Sequence, residues 1–534
     1  MSESKSLFEA ACAAAPVGME VAAVAARVPE RIAIQSERGN LNFGELNQRV
    51  NALSHYLRSL GLQAGDALAL LCSNRPEFCE VSLACHRLGL RMTPVNWHLS
   101  AEEAAYVVRD CEAKVLIADD RAASAASLAK SQSPHIVQAL AIDCRLDDFV
   151  DYESAIANFP GSDIDAPARG TVMQYTSGTT GRPKGVMRKQ PDPAQAAAMQ
   201  EILTAVFQYQ PEPESGAGTD TSLVTGPLYH SGPYNLCMMT PLTAGIGIVI
   251  MDKWEPETTL QLIERYRISH AFFVPTMFKR MLDLPAAVRG QYDISSLRFV
   301  IHGAAPCSIA VKQAMMDWFG PIIWELFAGT EGPGTMIGPD EWLARPGTVG
   351  KPAPDQVRIL SESGERVSSG EEGQIWWQLP EASSFEYFKA PEKTRDAQRD
   401  GYFTAGDIGY LDDEGYLFLT GRSAETIICG GVNIYPQEID DVLQQHPSVH
   451  DVACVGVPDD EWGERVLALI VLADGVEANE ALQQELSQHC ESQLAKQKCP
   501  RAFEWRDAIP RSAAGKVLRR QLRMPYWEGR DRAI

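Results

Sequence analysis

The sequence predicts an α/β fold with a β-rich subdomain and a second, small mixed α/β unit towards the C-terminal end. Three observations predict it. Helix and strand periods alternate through the first third, helical periods vanish around Gly350 to Leu379, and a compact mixed pattern follows Arg422. A chain of 534 residues is also too long for one hydrophobic core and implies about two to four domains.

The first third reads as helices laid over parallel strands. Leu46, Val50, Leu53, Leu57 and Leu60 recur at helical spacing, and Ala67 to Leu71 then reads as a buried strand. Pro76 suits the first turn of a second helix, which ends at Gly89. Ser100 and Glu103 form a capping box that opens a third, and Val115 to Ala118 returns as a strand. That alternation implies parallel sheets covered by helices. Residues 211–219, rich in Pro, Glu, Ser and Gly, read as an exposed surface loop. Short strands with Gly turns follow, such as Gln374 to Leu379. The last unit opens with a helix at Pro436 that buries Ile439, Val442 and Leu443. Strands Val452 to Val457 and Leu467 to Leu472 come next, and a helix bearing Leu482, Leu486 and Leu494 completes it.

Composition is ordinary for a globular protein, with 45% hydrophobic and 22% charged residues. The net charge of −22 argues against nucleic acid or an anionic membrane surface as a general partner. Any polyphosphate must then be received by a local basic cluster, with Mg²⁺. Twelve cysteines contain no C-x-x-C pair, so neither a zinc ribbon nor a disulfide framework is indicated and a cytoplasmic location is expected. No signal peptide is expected, since Met1 to Val21 carries Glu3, Glu9 and Glu20. No transmembrane segment is expected either, the longest apolar run lying around Ile246 to Met251.

The most informative stretch is Tyr175-Thr-Ser-Gly-Thr-Thr-Gly-Arg-Pro-Lys-Gly-Val186. Glycines let backbone N–H groups approach an anion, hydroxyls add donors, and Arg182 and Lys184 supply charge. A Gly/Ser-rich loop is also the composition of a plain linker, but the paired cations and Pro183 argue for a phosphate cradle. It is not the common P-loop, because Lys184 is followed by Gly185 and not by Ser or Thr.

Four further segments carry chemistry. Asp407 and Arg422 flank a predicted β-hairpin turning at Asp413-Glu414-Gly415, so pairing brings carboxylate and guanidinium together. They suit ribose hydroxyls and phosphate, although in isolation they read first as a salt bridge closing the hairpin. Glu325-Leu-Phe-Ala-Gly-Thr-Glu331 offers Phe327 to stack on a purine, Thr330 to donate to phosphate and Glu331 to hold Mg²⁺. Alone it reads as a strand ending in a Gly turn. Gly303-Ala-Ala-Pro306 lets a flat ring approach closely or is simply a tight turn. Pro510-Arg-Ser-Ala-Ala-Gly-Lys516 presents a Lys after a Gly turn, either to a cleft or to solvent.

The joint order of these segments resembles the adenylate-forming superfamily of AMP-dependent synthetases and ligases, from Gly44 to Arg519. This superfamily contains acyl-CoA synthetases, firefly-type luciferases and peptide-synthetase adenylation domains. Residues 175–186 match its phosphate loop almost letter for letter. Asp407 with Gly421-Arg422, Gly430-Gly431-Val-Asn-Ile-Tyr-Pro436 and the Lys516 segment follow in order. Asn96-Trp-His-Leu-Ser and His302-Gly-Ala-Ala-Pro-Cys resemble the acyl-CoA synthetase branch.

The resemblance implies a large N-terminal adenylation domain, residues 1–423, of two helix-covered sheets plus the β-rich subdomain at about 350–421. Residues 424–534 would form a mobile C-terminal lid. It implies that a carboxylate attacks the α-phosphorus of Mg·ATP to give acyl-AMP and pyrophosphate, after which CoA thiol displaces AMP. Thr176, Ser177, Gly178, Thr179, Thr180, Gly181 and Lys184 would hold the β- and γ-phosphates. Ala304, Ala305 and Phe327 would flank adenine, Thr330 would contact the α-phosphate, and Glu331 would ligate Mg²⁺. Asp407 would bind both ribose hydroxyls with support from Arg422. Lys516 would bridge the α-phosphate and the reacting carboxylate, and Gly430 and Gly431 would line the CoA channel. Two departures stand out: Ala424 occupies the hinge position where relatives often have Asp or Lys, and Phe327 replaces a frequent Tyr.

Relatives place the acyl pocket beside Tyr229 to Asn235, Val274 to Phe278 and Ala304, which assigns His230, Tyr234, Val274 and Ala304 to the substrate. His230 either gates this site or is a hydrogen-bonded structural histidine. The lining implies a hydrophobic acid: medium- or long-chain fatty, alicyclic, aryl or a steroid side-chain acid. Expected partners are that acid, ATP and CoA, with a homodimer left open. Lys516, Glu331 and Asp407 are all present, which argues against a non-catalytic nucleotide-binding protein.

Overall fold

A computed structural model of the chain describes residues 6–176, 183–211, 220–361, 363–381, 384–422, 425–429, 432–459, 462–494, 496, 498–512 and 515–528. The expected elements of the first third are present. Helix Phe43–Ser59 is opened by a capping box between Asn42 and Glu45, and Pro76–Leu88 closes on Gly89 in the left-handed conformation. The Ser100–Glu103 box opens Ala101–Asp110. The surface-loop reading of 211–219 lies outside the described residues except for Pro211.

Two large sheets carry the N-terminal part. In the first, of six strands, Ala67–Leu71 lies between Ala113–Asp119 and Arg91–Pro94, and every pairing is parallel. The second has eight strands. Ile323–Phe327, Phe299–Gly303, His270–Phe273, Thr221–Val224, Gly247–Ile250 and Ile32–Ser36 run parallel, and one antiparallel strand closes each edge. Parallel strands buried on both faces need continuous apolar runs, which explains segments such as His270-Ala-Phe-Phe273 and Gly247-Ile-Val-Ile250. Phe273, Phe278 and Ile34 are fully buried, each side chain contributing about 1.5–3 kcal/mol of burial free energy.

The β-rich part is a seven-stranded antiparallel sheet, six strands in one path and one pairing off it, in which Asp407–Leu411 and Leu417–Arg422 form the expected hairpin. A small three-stranded sheet pairs Gln174–Thr176, Lys184–Arg188 and Phe385–Tyr387. The C-terminal unit is a five-strand sheet with helices Pro436–Leu443 and Glu480–Gln493. Two expectations shift here. The strands extend to Val449–Asp459 and Gly463–Leu472, because the long pairing between them continues past the apolar run. Leu494 stands just beyond its helix, as the C-cap.

Candidate active site

Parallel strands of one sheet all end on the same edge, and the loops that leave those ends share a crevice. Here the strand ending at Val224 leads to Tyr229 and His230, the strand ending at Phe273 leads to Val274, and the strand ending at Gly303 leads to Ala304 and Ala305. The neighbouring strand ending at Phe327 leads to Thr330 and Glu331. Residues scattered over a hundred positions of sequence are thereby gathered by topology alone. Gly303 allows close packing of two of these strands, since a Cβ there would lie 2.5 Å from the Leu326 carbonyl oxygen. Ala304 turns the chain sharply away from the sheet at φ +67°, a conformation that alanine adopts only under constraint.

The phosphate-loop segment is presented by an antiparallel hairpin, in which Thr176 faces Lys184 across the pair. Ser177, Gly178, Thr179, Thr180 and Gly181 lie outside the described residues. Lys184 Nζ stands 4.8 Å from the centroid of the Tyr387 ring. Burial, and after it the charge of Lys393, hold its pKa below the ordinary lysine range, while Glu331 opposes that shift. The Tyr387 hydroxyl in turn donates to Glu331 Oε1 at 3.2 Å. Burial first, and then the Glu331 carboxylate, raise the pKa of this phenol, so it remains a donor at neutral pH.

Asp407 and Arg422 are register partners at the open end of their hairpin, with Nε and Oδ1 2.9 Å apart. The Asp407 side chain is largely covered and that of Arg422 is half in solvent, so the salt bridge that closes the hairpin is formed. Asp407 is also the largest influence holding Arg422 above its usual pKa. Phe327 is half-buried with its ring 5.8 Å from that of Trp377.

Lys516 is brought to this crevice from the C-terminal unit. Its loop is docked closely enough that a Cβ on Gly515 would lie 2.7 Å from Thr276 Oγ1 and 3.1 Å from Val274 Cγ2. The Lys516 side chain is open to the solvent of the cleft but walled by both parts of the chain. That enclosure, followed by the charge of Arg422, lowers its pKa, against the opposing influence of Asp407, Glu331 and Glu425. The unit behind it is fastened by Arg519, which pairs with Glu425 at 2.9 Å and with Asp440 at 2.6 Å. Gly430 and Gly431, and the hinge position Ala424, lie outside the described residues.

His230 is held neutral, its pKa lowered to about 4 by burial, then by Lys516 and His98. Its Nε2 has no hydrogen-bond partner among the described residues, which argues against the structural-histidine alternative. Tyr234 is placed deeper than the other expected pocket residues. It is 3% exposed and packs edge-on to Phe78 at 6.4 Å, in the π-helical segment Pro233–Met239.

Two residues of the site were not anticipated from sequence: Tyr387, and Arg188 at the end of the Lys184 strand. Arg188 Nε donates to the Thr330 carbonyl at 2.9 Å and Nη2 to that of Gly329 at 3.4 Å. The signal was available, because Lys184, Val186 and Arg188 share one face of a strand with period two.

Among the described residues no three His, Cys, Asp or Glu side chains are grouped to hold a metal. A Mg²⁺ held by one carboxylate together with substrate phosphates fits Glu331, a hard oxygen donor beside the phosphate hairpin. No helix among the described residues is long and apolar enough to cross a membrane.

Comparison with known proteins agrees with this geometry. A fatty acid–[acyl-carrier-protein] ligase, ScoC, of Streptomyces coeruleorubidus is 29% identical over 514 residues, spanning 95% of each chain. A feruloyl-CoA synthase of an Amycolatopsis species is 30% identical over 502 residues, covering 93% of this chain and 96% of its own. The solved o-succinylbenzoate CoA synthetase MenE of Bacillus subtilis, in complex with an acyl-adenylate intermediate, superposes with a TM-score of 0.77 at 26% identity, covering 94% of this chain and 97% of its own. Residues 21–384 match the AMP-binding enzyme family and residues 438–516 its C-terminal domain. With Glu331 in the first matched region and Lys516 in the second, the chain belongs to the AMP-binding enzyme family, within the adenylate-forming superfamily.

Proposed function

We propose that this chain is an AMP-forming acid–CoA ligase for a hydrophobic carboxylic acid. The observation that carries the reading is the convergence of Asp407–Arg422, Glu331 and Lys516 on one crevice, with the Lys516 loop docked on Val274 and Thr276. ATP binds with its ribose on Asp407, its adenine between Ala304, Ala305 and Phe327, and its outer phosphates along the hairpin from Thr176 to Lys184. Glu331, with the phosphates, would hold Mg²⁺, which would supply charge neutralisation. The acid lies along Val274 and Ala304, with neutral His230 at its mouth. A carboxylate meeting a polyphosphate is repelled, so the Lys516 ammonium acts most strongly where charge concentrates between them in the transition state. In this reading the C-terminal unit then withdraws Lys516 and admits CoA.

Purified protein should release AMP and pyrophosphate from ATP when a hydrophobic acid and CoA are supplied, with the acyl-CoA detected by mass spectrometry. ADP as the nucleotide product would refute the reading. The ScoC relative favours one second reading, in which a carrier-protein thiol replaces CoA. Thioester formed on holo-carrier protein and not on free CoA would select it.

Docking of the Lys516 loop gives a separate prediction. Gly515 sits at φ +76° against Thr276 and Val274, and left-handed backbone costs other residues about 1–2 kcal/mol. Gly515→Ala should therefore lower acid-dependent pyrophosphate exchange about tenfold, while thioester formation from pre-made acyl-adenylate is unaffected. Equal losses in both steps would contradict it.

A further inference from the structure

The loop carrying Thr330 and Glu331 has no regular structure of its own to fix it. Residues 328 and 329 are exposed, and the strand before it ends at Phe327. Two side chains from the small three-stranded sheet reach it. Tyr387 donates to the Glu331 carboxylate, and Arg188 donates to the carbonyls of Thr330 and Gly329. Both stand on the sheet that presents the phosphate hairpin, since Arg188 ends the Lys184 strand and Tyr387 is the register partner of Val186 on the neighbouring one. Arg188 is the longer-reaching of the two and the only one that grips the loop by its backbone. Its guanidinium fork can span two successive carbonyls, whereas an ammonium is a point donor. Glu331 also acts on Arg188 as an opposing charge.

We propose that Arg188 is a positioning residue for MgATP, tying the Thr330–Glu331 loop to the hairpin that holds the outer phosphates. It does so by donating to the Thr330 and Gly329 carbonyls. The inference rests on the nucleotide site described above and adds to it a residue that acts through the backbone of the Thr330–Glu331 loop. Because the strand that carries Lys184 and the metal-holding loop are then tied together, loss of Arg188 weakens binding of the metal–nucleotide complex and leaves the acid pocket intact.

The test is calorimetric titration of MgATP, without acid, into the full chain and its Arg188→Met and Arg188→Lys variants, followed by steady-state kinetics. The Met variant is expected to bind MgATP about tenfold more weakly, the scale of one lost charge-assisted hydrogen bond. It should need more Mg²⁺ for half-maximal rate and keep the KM for the acid. The Lys variant, which keeps the charge but loses the fork, should fall between Met and wild type; should the Met variant fail to fold, the Lys variant alone must still show weaker MgATP binding. Folded variants that bind MgATP as wild type does would overturn the role of Arg188 alone, as would equal rises in KM for nucleotide and acid. A wild-type chain that does not bind MgATP would overturn the nucleotide site as well.

Discussion

Lys516→Ala is expected to slow acid-dependent adenylation by about two to three decades, roughly 3–4 kcal/mol of transition-state stabilisation. Conversion of pre-made acyl-adenylate to thioester should survive. The separation follows from where Lys516 sits: its loop lies against Val274 and Thr276, in the electrostatic neighbourhood of Glu331, Asp407 and Arg422. Only a step in which carboxylate and phosphate approach one another there needs its charge. Pyrophosphate exchange reads the first step and single-turnover thioester formation the second; undiminished exchange would remove Lys516 from the reaction. The lowered pKa adds a pH signature. The charged form is the active one, so kcat/KM for adenylation should fall as pH rises through that lowered value, earlier than an ordinary lysine would allow. Lys516→Arg should move this alkaline limb upward, and thioester formation should lack it.

Asp407→Ala is expected to lower kcat/KM for ATP by about a hundredfold, the scale of two hydrogen bonds to an ionised carboxylate. The variant also leaves Arg422 without the carboxylate that now lies 2.9 Å away. An ATP analogue lacking both ribose hydroxyls separates the two effects. It should react poorly with the unaltered chain and lose little more with the variant, as expected when both changes remove the same contact. Independent, additive losses would mean that Asp407 serves the hairpin and not the nucleotide.

The sequence made legible those parts of the fold that depend on local rules. The capping box at Ser100–Glu103, the first-turn proline at Pro76 with its Gly89 stop, and the hairpin joining Asp407 to Arg422 all needed only near neighbours. The alternation of the first third implied parallel sheets, and the strands pair in parallel. What could not be read locally was which loops share an edge. Strand order places His270–Phe273 next to Thr221–Val224 and Phe299–Gly303 beyond it, and that order is set by packing of the whole sheet. Family resemblance supplied this missing link for Ala304, Glu331 and Lys516. It did not point to Arg188 or Tyr387, whose roles arise from contacts across more than fifty residues of sequence. Period-two reading of the Lys184 strand would have put Arg188 on the right face, though not against Thr330.

The most direct test of the central claim uses an acid whose carboxylate oxygens carry the heavy isotope. Attack on the α-phosphorus leaves one carboxylate oxygen on the phosphate when the thiol displaces AMP. The account predicts AMP bearing a single heavy oxygen, formed in step with the thioester. Unlabelled AMP, or label recovered in inorganic phosphate alongside ADP, would contradict it.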